Sequence, residues 1–150
     1  MVDVKKVPTD VLLKNLAEGF KNNKKIKIPE WVEFAKAGIH KEKAWEQPDW
    51  YYTRLASTLR KVFIMGPIGI SKLSEEYGGR VDRGSKRYHP AKGSRSIVRH
   101  MLQTLEELGL VKKVKEGRII SPEGNSLLDK ISKETLTTLS EKDKTFEKFL

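Results

Sequence analysis

The stretch SRSIVRHMLQTLEELGLVKKVKEGRII, residues 94–120, contains the clearest structural pattern of the chain. Ser94 is a favoured N-cap residue, and at about 100° per residue the helix that follows it divides into an apolar arc and a polar arc. Arg95 and Arg99 fall on the polar arc. Two β-prone runs follow the helix and are joined around a KEG sequence, which is a hairpin signal. The apolar arc, which we predict to be buried, contains Ile97, Val98, Met101, Leu102, Leu105 and Leu108.

The elements before this stretch complete a recognisable order. Apolar residues at i, i+3 and i+4 predict a helix over about 49–65, GPIGI at 66–70 predicts a turn and short strand, and a short helix is predicted over about 71–77. Helix, strand, helix, helix and hairpin is the order of a winged helix, a variant of the helix-turn-helix in which the hairpin forms a wing. We therefore predict a mainly α, winged-helix-like fold with an N-terminal helical extension.

The length of 150 residues is enough for one hydrophobic core. In the N-terminal part we predict a helix from about Asp10 to Asn22, capped by Thr9, and a short second helix that begins near Pro29. Ser121 and Pro122 predict the start of a further helix after the hairpin. The single domain then has an extension, a winged-helix core and a C-terminal tail, at residues 1–47, 48–131 and 132–150.

The chain is strongly basic. It has 30 Lys and Arg residues against 20 Asp and Glu, a formal net charge of +10 and a sequence pI near 9.7. Residues 80–100 contain seven basic residues and one acid, and residues 21–43 contain seven basic residues and three acids, so these two segments account for the whole net charge. Such a balance favours a polyanionic partner, and nucleic acid is the first candidate.

Several kinds of chemistry are excluded by the composition. Without cysteine there is no disulfide, thiolate metal site or cysteine nucleophile, and the three histidines are widely separated with no HExxH pattern. The glycine-rich stretch lacks the GxxxxGK[ST] order of a triphosphate-binding loop. No apolar run approaches the roughly 20 residues of a membrane-spanning helix. We therefore predict no enzyme activity, no cofactor, no metal and no membrane partner, and expect a soluble, cytoplasmic protein.

A basic, glycine-rich stretch, GGRVDRGSKRYHPAKGSRSIVRH at 78–100, leads into the capped helix. We predict a mobile loop between Gly79 and Gly93, because glycines lie among like charges there. Isolated basic runs are usually disordered tails, whereas this one precedes a helix, which favours a phosphate-binding surface. Its basic residues are Arg80, Arg83, Lys86, Arg87, Lys92, Arg95 and Arg99.

A polar stripe lies on the helix predicted over 49–65. Arg54, Ser57 and Lys61 recur at i, i+3 and i+7, with Arg60 at the edge of the stripe. An ordinary solvated face explains this spacing as well as a binding surface does. The three tryptophans are predicted to pack in or near the core rather than to stack on unpaired bases.

Five blocks of this chain resemble the small-subunit ribosomal protein nineteen family of the archaeal and eukaryotic type. They are IPEWVEFAKAGIHKE, DWYYTRLASTLRKVFI, EEYGGR, KGSRSIVRHMLQTLEELGLV and GRIISPEGNSLLDKI, and the similarity covers about residues 10–131. The resemblance implies a winged-helix-like structural protein in the head of the small ribosomal subunit. It implies binding to the 3′ major domain of the small-subunit ribosomal RNA and a role in assembly or maturation of the subunit.

The resemblance also implies which residues bind RNA. Because the major groove of A-form RNA is deep and narrow, we expect contacts to phosphates and 2′-hydroxyls rather than base reading by the helix that begins at Ser94. Neighbouring small-subunit proteins are further expected partners, and the isolated chain is expected to be a monomer. The positions carried over by motif are Arg54, Ser57, Arg60, Lys61, Arg80, Lys92, Gly93, Ser94, Arg95, Ser96 and Arg99. The basic stretch adds Arg83, Lys86 and Arg87.

Two other classes of function fit the same fold. In a winged-helix DNA-binding transcriptional regulator, Gln103 would join the two arginines of the polar arc at the bases, and the lysines at 112, 113 and 115 would form the wing. A protein-binding module is the third class. A regulator normally dimerises to read two half-sites, and this chain has no sustained heptad pattern for a zipper.

Overall fold

The computed structural model describes residues 4–149, apart from the side chains at 147 and 149, so the ends of the predicted extension and tail, 1–3 and 150, lie outside the described residues. The helices are α1 (Thr9–Lys21), α2 (Trp50–Met65), α3 (Ile70–Glu76), α4 (Arg95–Glu107) and α5 (Pro122–Lys142). The strands are β1 (Gly79–Arg83), β2 (Lys86–Ala91), β3 (Val111–Val114) and β4 (Gly117–Ile120). Two 3₁₀ helices span Glu30–Glu33 and Lys144–Phe149.

The core lies where α1, α2, α4 and α5 meet. Helix α2 contacts α1, α4 and α5, and α1 also contacts α5. Leu55 and Leu59 of α2, Leu102 and Leu105 of α4 and Leu128 of α5 are completely buried. The coarse prediction of a mainly helical chain with a wing is therefore confirmed.

Helix α4 has the phase that its sequence predicts. The Ser94 hydroxyl accepts a hydrogen bond from the Ile97 amide at 3.4 Å, as an N-cap does. The residues at 97, 98, 101, 102 and 105 are buried, whereas Arg95, Ser96 and Arg99 are exposed. Leu108, which was predicted to be buried on the same arc, is the C-cap residue and is only half-buried. One face of α4 therefore belongs to the core and the other is free.

The predicted wing is the antiparallel pair β3 and β4, with Val114 opposite Gly117. Where a short strand was predicted in GPIGI, only Ile68 pairs with the wing. Its amide donates to the Arg118 carbonyl at 3.1 Å, and the Arg118 amide donates to the Ile68 carbonyl at 2.9 Å. A Cβ atom on Gly117 would lie 2.6 Å from the Ile68 carbonyl carbon, so this close approach requires glycine.

The basic stretch contains a β-hairpin where a glycine-rich loop was predicted, and that part of the prediction is wrong. Strands β1 and β2 are joined by Gly84 and Ser85, with φ of +71° at Gly84 and no positive φ at Ser85. This is the pattern of a type II′ turn, which matches the twist of the flanking strands. The Asp82 carboxylate accepts from the Gly84 amide at 2.9 Å and supports the turn. The mobility of this segment stays a prediction.

The ends of two other elements differ from expectation. Helix α1 begins at Thr9 itself, with Pro8 in the N-cap position and no side-chain cap, so the prediction of Thr9 as the cap is wrong. Helix α5 begins as predicted, since the Ser121 hydroxyl accepts from the Gly124 amide at 3.1 Å. It continues past residue 131, where the tail was predicted to begin. Leu136 is fully buried, so this part of α5 is packed into the core.

The described residues, 4–149, contain no helix with the length and apolar character needed to cross a bilayer.

We expect Leu102→Ala to lower the free energy of unfolding by about 2–5 kcal/mol, because truncation of a buried leucine leaves a cavity in a core that relaxes only partly. Urea denaturation measures this change. Glu107→Ala on the exposed face of the same helix is the matched control and should change stability by less than about 0.5 kcal/mol. An unchanged midpoint for Leu102→Ala would mean that the phase of α4 is wrong.

Candidate nucleic-acid interface

The free face of α4 borders an open groove of about 690 Å³ against the start of α3. Arg95 and Arg99 lie one helical turn apart on this face. Among the residues that the structure describes, neither arginine forms an ion pair. The groove is lined by Ile70, Ser71, Arg95, Ser96, Arg99, His100 and Gln103. It therefore combines two unpaired cations with hydroxyl, amide and imidazole groups, and none of its described lining residues carries a carboxylate.

The β1–β2 hairpin presents the other exposed cations. Its strands are exposed along nearly their whole length. The Arg80 guanidinium lies 4.5 Å from the centroid of the Tyr88 ring, and the Arg83 side chain donates to the Arg87 carbonyl at 2.9 and 2.7 Å. Lys86 is exposed at the turn. Contacts within the hairpin therefore orient two of its cations, and no described carboxylate forms an ion pair with any of them.

The base of the hairpin is fixed by main-chain contacts. The Gly93 amide donates to the Ser74 carbonyl at 2.9 Å, and the Ser94 amide donates to the Ala37 carbonyl at 2.9 Å. A Cβ atom on Gly93 would lie 2.7 Å from the Tyr77 carbonyl oxygen. The amides of Gly93 and Ser94 are thus used within the protein, and the predicted RNA contacts of these two residues stay predictions.

On α2, two of the predicted RNA contacts pack around Tyr77. The Arg54 guanidinium lies 3.9 Å from the centroid of the Tyr77 ring and 4.9 Å from that of Trp45. Burial lowers the pKa of Arg54. The Tyr77 hydroxyl donates to the Ser57 hydroxyl oxygen at 2.9 Å. Arg54 and Ser57 therefore help to hold α3 against α2.

Of the other two predicted RNA contacts on α2, Lys61 and Arg60, the lysine lies beside Tyr77. The Lys61 ammonium lies 3.1 Å from the Glu76 carboxylate and 5.2 Å from the centroid of the Tyr77 ring. Arg60 is half-buried, and its Nε atom is buried without a hydrogen-bond partner among the described residues. The α2 stripe is therefore partly engaged within the protein, unlike the free face of α4.

Lys92, between β2 and α4 in the chain, contacts α3. Its ammonium lies 2.9 Å from the Glu75 carboxylate, and Lys72 lies 3.6 Å from the same carboxylate. The hydrogen bond from Lys92 lowers the pKa of Glu75. All three side chains are well exposed, so water and salt screen these pairs and leave Lys92 available to exchange its partner.

Sequence reasoning missed three residues of this region. Tyr77 contacts Arg54, Ser57 and Lys61 of α2, and the YGG sequence alone does not show that. Ser71 and His100 line the groove, but neither was predicted to bind RNA. His100 follows Arg99 on the polar arc of α4, and this position was the signal that could have identified it as a residue of the groove. Ser71 reaches the groove only through the packing of α3 against α4, so no local pattern could identify it.

The part of the chain that the structure describes holds no group of three His, Asp or Glu side chains that could bind a metal ion.

Comparison with known proteins identifies similar chains along the whole length. Residues 3–138 match the family model described as ribosomal protein S19e. The small ribosomal subunit protein eS19 of Thermoplasma volcanium is 55% identical over 150 residues, covering all of both chains. The proteins of the same name from Thermoplasma acidophilum and Aeropyrum pernix are 51% and 43% identical over 150 and 153 residues, again covering all of both chains.

We expect Gly93→Ala to destabilise the protein by about 1–3 kcal/mol, because the new methyl group would meet the Tyr77 carbonyl in a place where backbone must shift. Gly19→Ala is the matched control. Gly19 lies within α1, and beyond the local helix backbone no atom lies within 4 Å of the place where its Cβ would stand, so alanine should stabilise by about 0.5–1 kcal/mol there. Urea unfolding of both variants tests the pair, and stabilisation by Gly93→Ala would show that the junction has room.

Proposed function

Since this chain belongs to the ribosomal protein S19e family, we propose that it is a structural constituent of the small ribosomal subunit that binds small-subunit ribosomal RNA. The proposed site is in the head of the subunit, on the 3′ major domain of the RNA, with a role in assembly or maturation. The family is one of ribosomal structural proteins, not of enzymes. The proposed location is the small subunit in the cytoplasm, next to other small-subunit proteins, and the isolated chain is proposed to be a monomer.

The observation that supports RNA binding is a pair of arginines on the free face of α4 that form no ion pair with any described residue. Arg95 and Arg99 are exposed beside the basic β1–β2 hairpin, so cations from two elements face solvent in one region of the chain. Cations that lack acidic partners repel one another in the free protein. A polyanion relieves this repulsion and releases counterions when it binds. The shape and charge of this surface suit a folded RNA backbone.

The architecture disfavours the alternative of a DNA-reading regulator. In a helix-turn-helix the two helices are joined by a turn of about 3–4 residues. Here residues 77–94 separate α3 from α4 and form a protruding basic hairpin. In an A-form RNA the major groove is too deep and narrow for side chains of α4 to read, so we propose contacts to phosphates and 2′-hydroxyls.

We expect Arg95→Glu combined with Arg99→Glu to weaken RNA binding while the fold stays intact. Both side chains are exposed, and their reversal replaces two attractive phosphate contacts with repulsion. The slope of log affinity against log salt should fall by roughly one unit per lost contact. Affinity is measured for a transcript of the 3′ major domain and for duplex DNA over a salt series, with circular dichroism as the test of folding.

The matched control is Lys130→Glu combined with Lys133→Glu, which makes the same charge change on exposed positions of α5. This variant should retain most of the affinity and the salt slope. Binding of the α4 variant with the affinity and slope of the wild type would refute the proposed interface. Tighter binding of the wild type to one duplex DNA site than to the transcript, with a dimeric mass in sedimentation, would support the regulator instead.

A further inference from the structure

We propose that the groove between α3 and α4 holds one unpaired nucleotide of the bound RNA, with its base stacked on the imidazole ring of His100. This inference rests on the ribosomal-RNA binding proposed above and adds a mode of recognition to it. It concerns groups that phosphate binding does not need, namely His100, Gln103 and Ile70.

The size of the groove suits a single small ligand. Its volume of about 690 Å³ lies within the range of about 300–1,000 Å³ that is common for small-molecule sites. It is open on one side, so a nucleotide can enter while its neighbours in the chain stay outside. A double helix is too wide to enter such a groove and would contact only its rim.

His100 is supported from behind. Its ring centroid lies 5.0 Å from that of Trp31, with the two planes tilted by 44°. Trp31 contacts the imidazole without lining the groove, whereas His100 lines it, so the contact with Trp31 does not occupy the groove. Unpaired RNA bases commonly stack on such aromatic planes. The contact with Trp31 restricts the rotation of His100 and reduces the entropy lost when a base stacks on it.

The polar groups of α4 are ordered along the groove. Arg95, Arg99 and Gln103 follow at i, i+4 and i+8, so they lie in one row along the helix. The cations occupy the N-terminal part of this row, and Ser71 of α3 adds a hydroxyl to the lining of the groove. Gln103 occupies the other part, and its amide both donates and accepts, as a base edge does. Phosphates therefore fit one end of the groove and a base fits the other.

The test is a comparison of two variants at one position. In His100→Leu an apolar side chain still packs on Trp31, but there is no flat ring for a base. In His100→Phe the ring remains without the imidazole nitrogens. For the 3′ major domain transcript, we expect His100→Leu to bind at least about fivefold more weakly and His100→Phe to bind within about twofold of the wild type. The salt slope should stay unchanged in both, because no phosphate contact is lost.

Base-specific chemical probing of the same complexes gives a second measurement. One unpaired base of the transcript should be protected by the wild type and by His100→Phe and become reactive with His100→Leu. Gln103→Ala should also weaken binding at an unchanged salt slope. Circular dichroism and thermal unfolding of each variant show whether the fold is retained.

The outcomes separate the two proposals. If the wild type binds the transcript with the expected dependence on Arg95 and Arg99, but His100→Leu binds as His100→Phe does and no base changes its reactivity, then this surface contacts only backbone. That result overturns the nucleotide site and leaves the proposed function standing. If the wild type binds the transcript no more tightly than duplex DNA of equal length, both proposals are wrong.

Discussion

The close approach of two backbones, at the Tyr77 carbonyl and Gly93, fixes the geometry of the candidate interface. No side chain fits between them, and the Gly93 amide bonds to the Ser74 carbonyl. The chain leaves α3 at this junction, forms the β1–β2 hairpin and returns to the same place before α4 begins. The N-terminal extension closes the junction from another side, through Ala37 and Gly38. One contact region therefore sets the positions of the hairpin, α3 and α4 together.

The cations of this protein have two different environments. On α2 the Arg54 guanidinium is half-buried between aromatic rings, and Lys61 pairs with Glu76. These groups stabilise the contact of α2 with α3, and cation–π contacts that lie partly out of water are worth about 0.5–2 kcal/mol each. Arg95 and Arg99 have no such partners in the described structure. The positive charge of these residues in the sequence does not distinguish the two environments. The cations of α2 are packed within the protein, whereas those of α4 face solvent.

The sequence could predict the elements whose signals are local, but not those that depend on tertiary contacts. Helix α4 and the wing were predictable because their signals are local: a cap at Ser94, an apolar arc and a turn at KEG. The β1–β2 hairpin was missed because its strands bury neither face, so no alternation of apolar residues marks them. The Gly84-Ser85 pair was the remaining signal for a turn. It was not recognised because it lies among many basic residues. The groove depends on how α3 and α4 pack, which is a tertiary contact that no single segment encodes.

The hairpin, found where a mobile loop was predicted, also bears on the energetics of the proposed RNA binding. A disordered loop loses conformational entropy when it binds RNA, and fixing the backbone costs about 1–2 kcal/mol per residue. Over the length of β1 and β2 that cost would exceed what a few screened phosphate contacts contribute. Strand pairing and the type II′ turn at Gly84 meet part of this cost during folding. An isolated two-stranded hairpin is marginally stable in water, so preorganisation of β1 and β2 before binding would depend on the backbone junction at Gly93. If the hairpin binds RNA as proposed, Gly93 contributes to the affinity by keeping this junction free of a clash with Tyr77, apart from any contact of its own with the RNA.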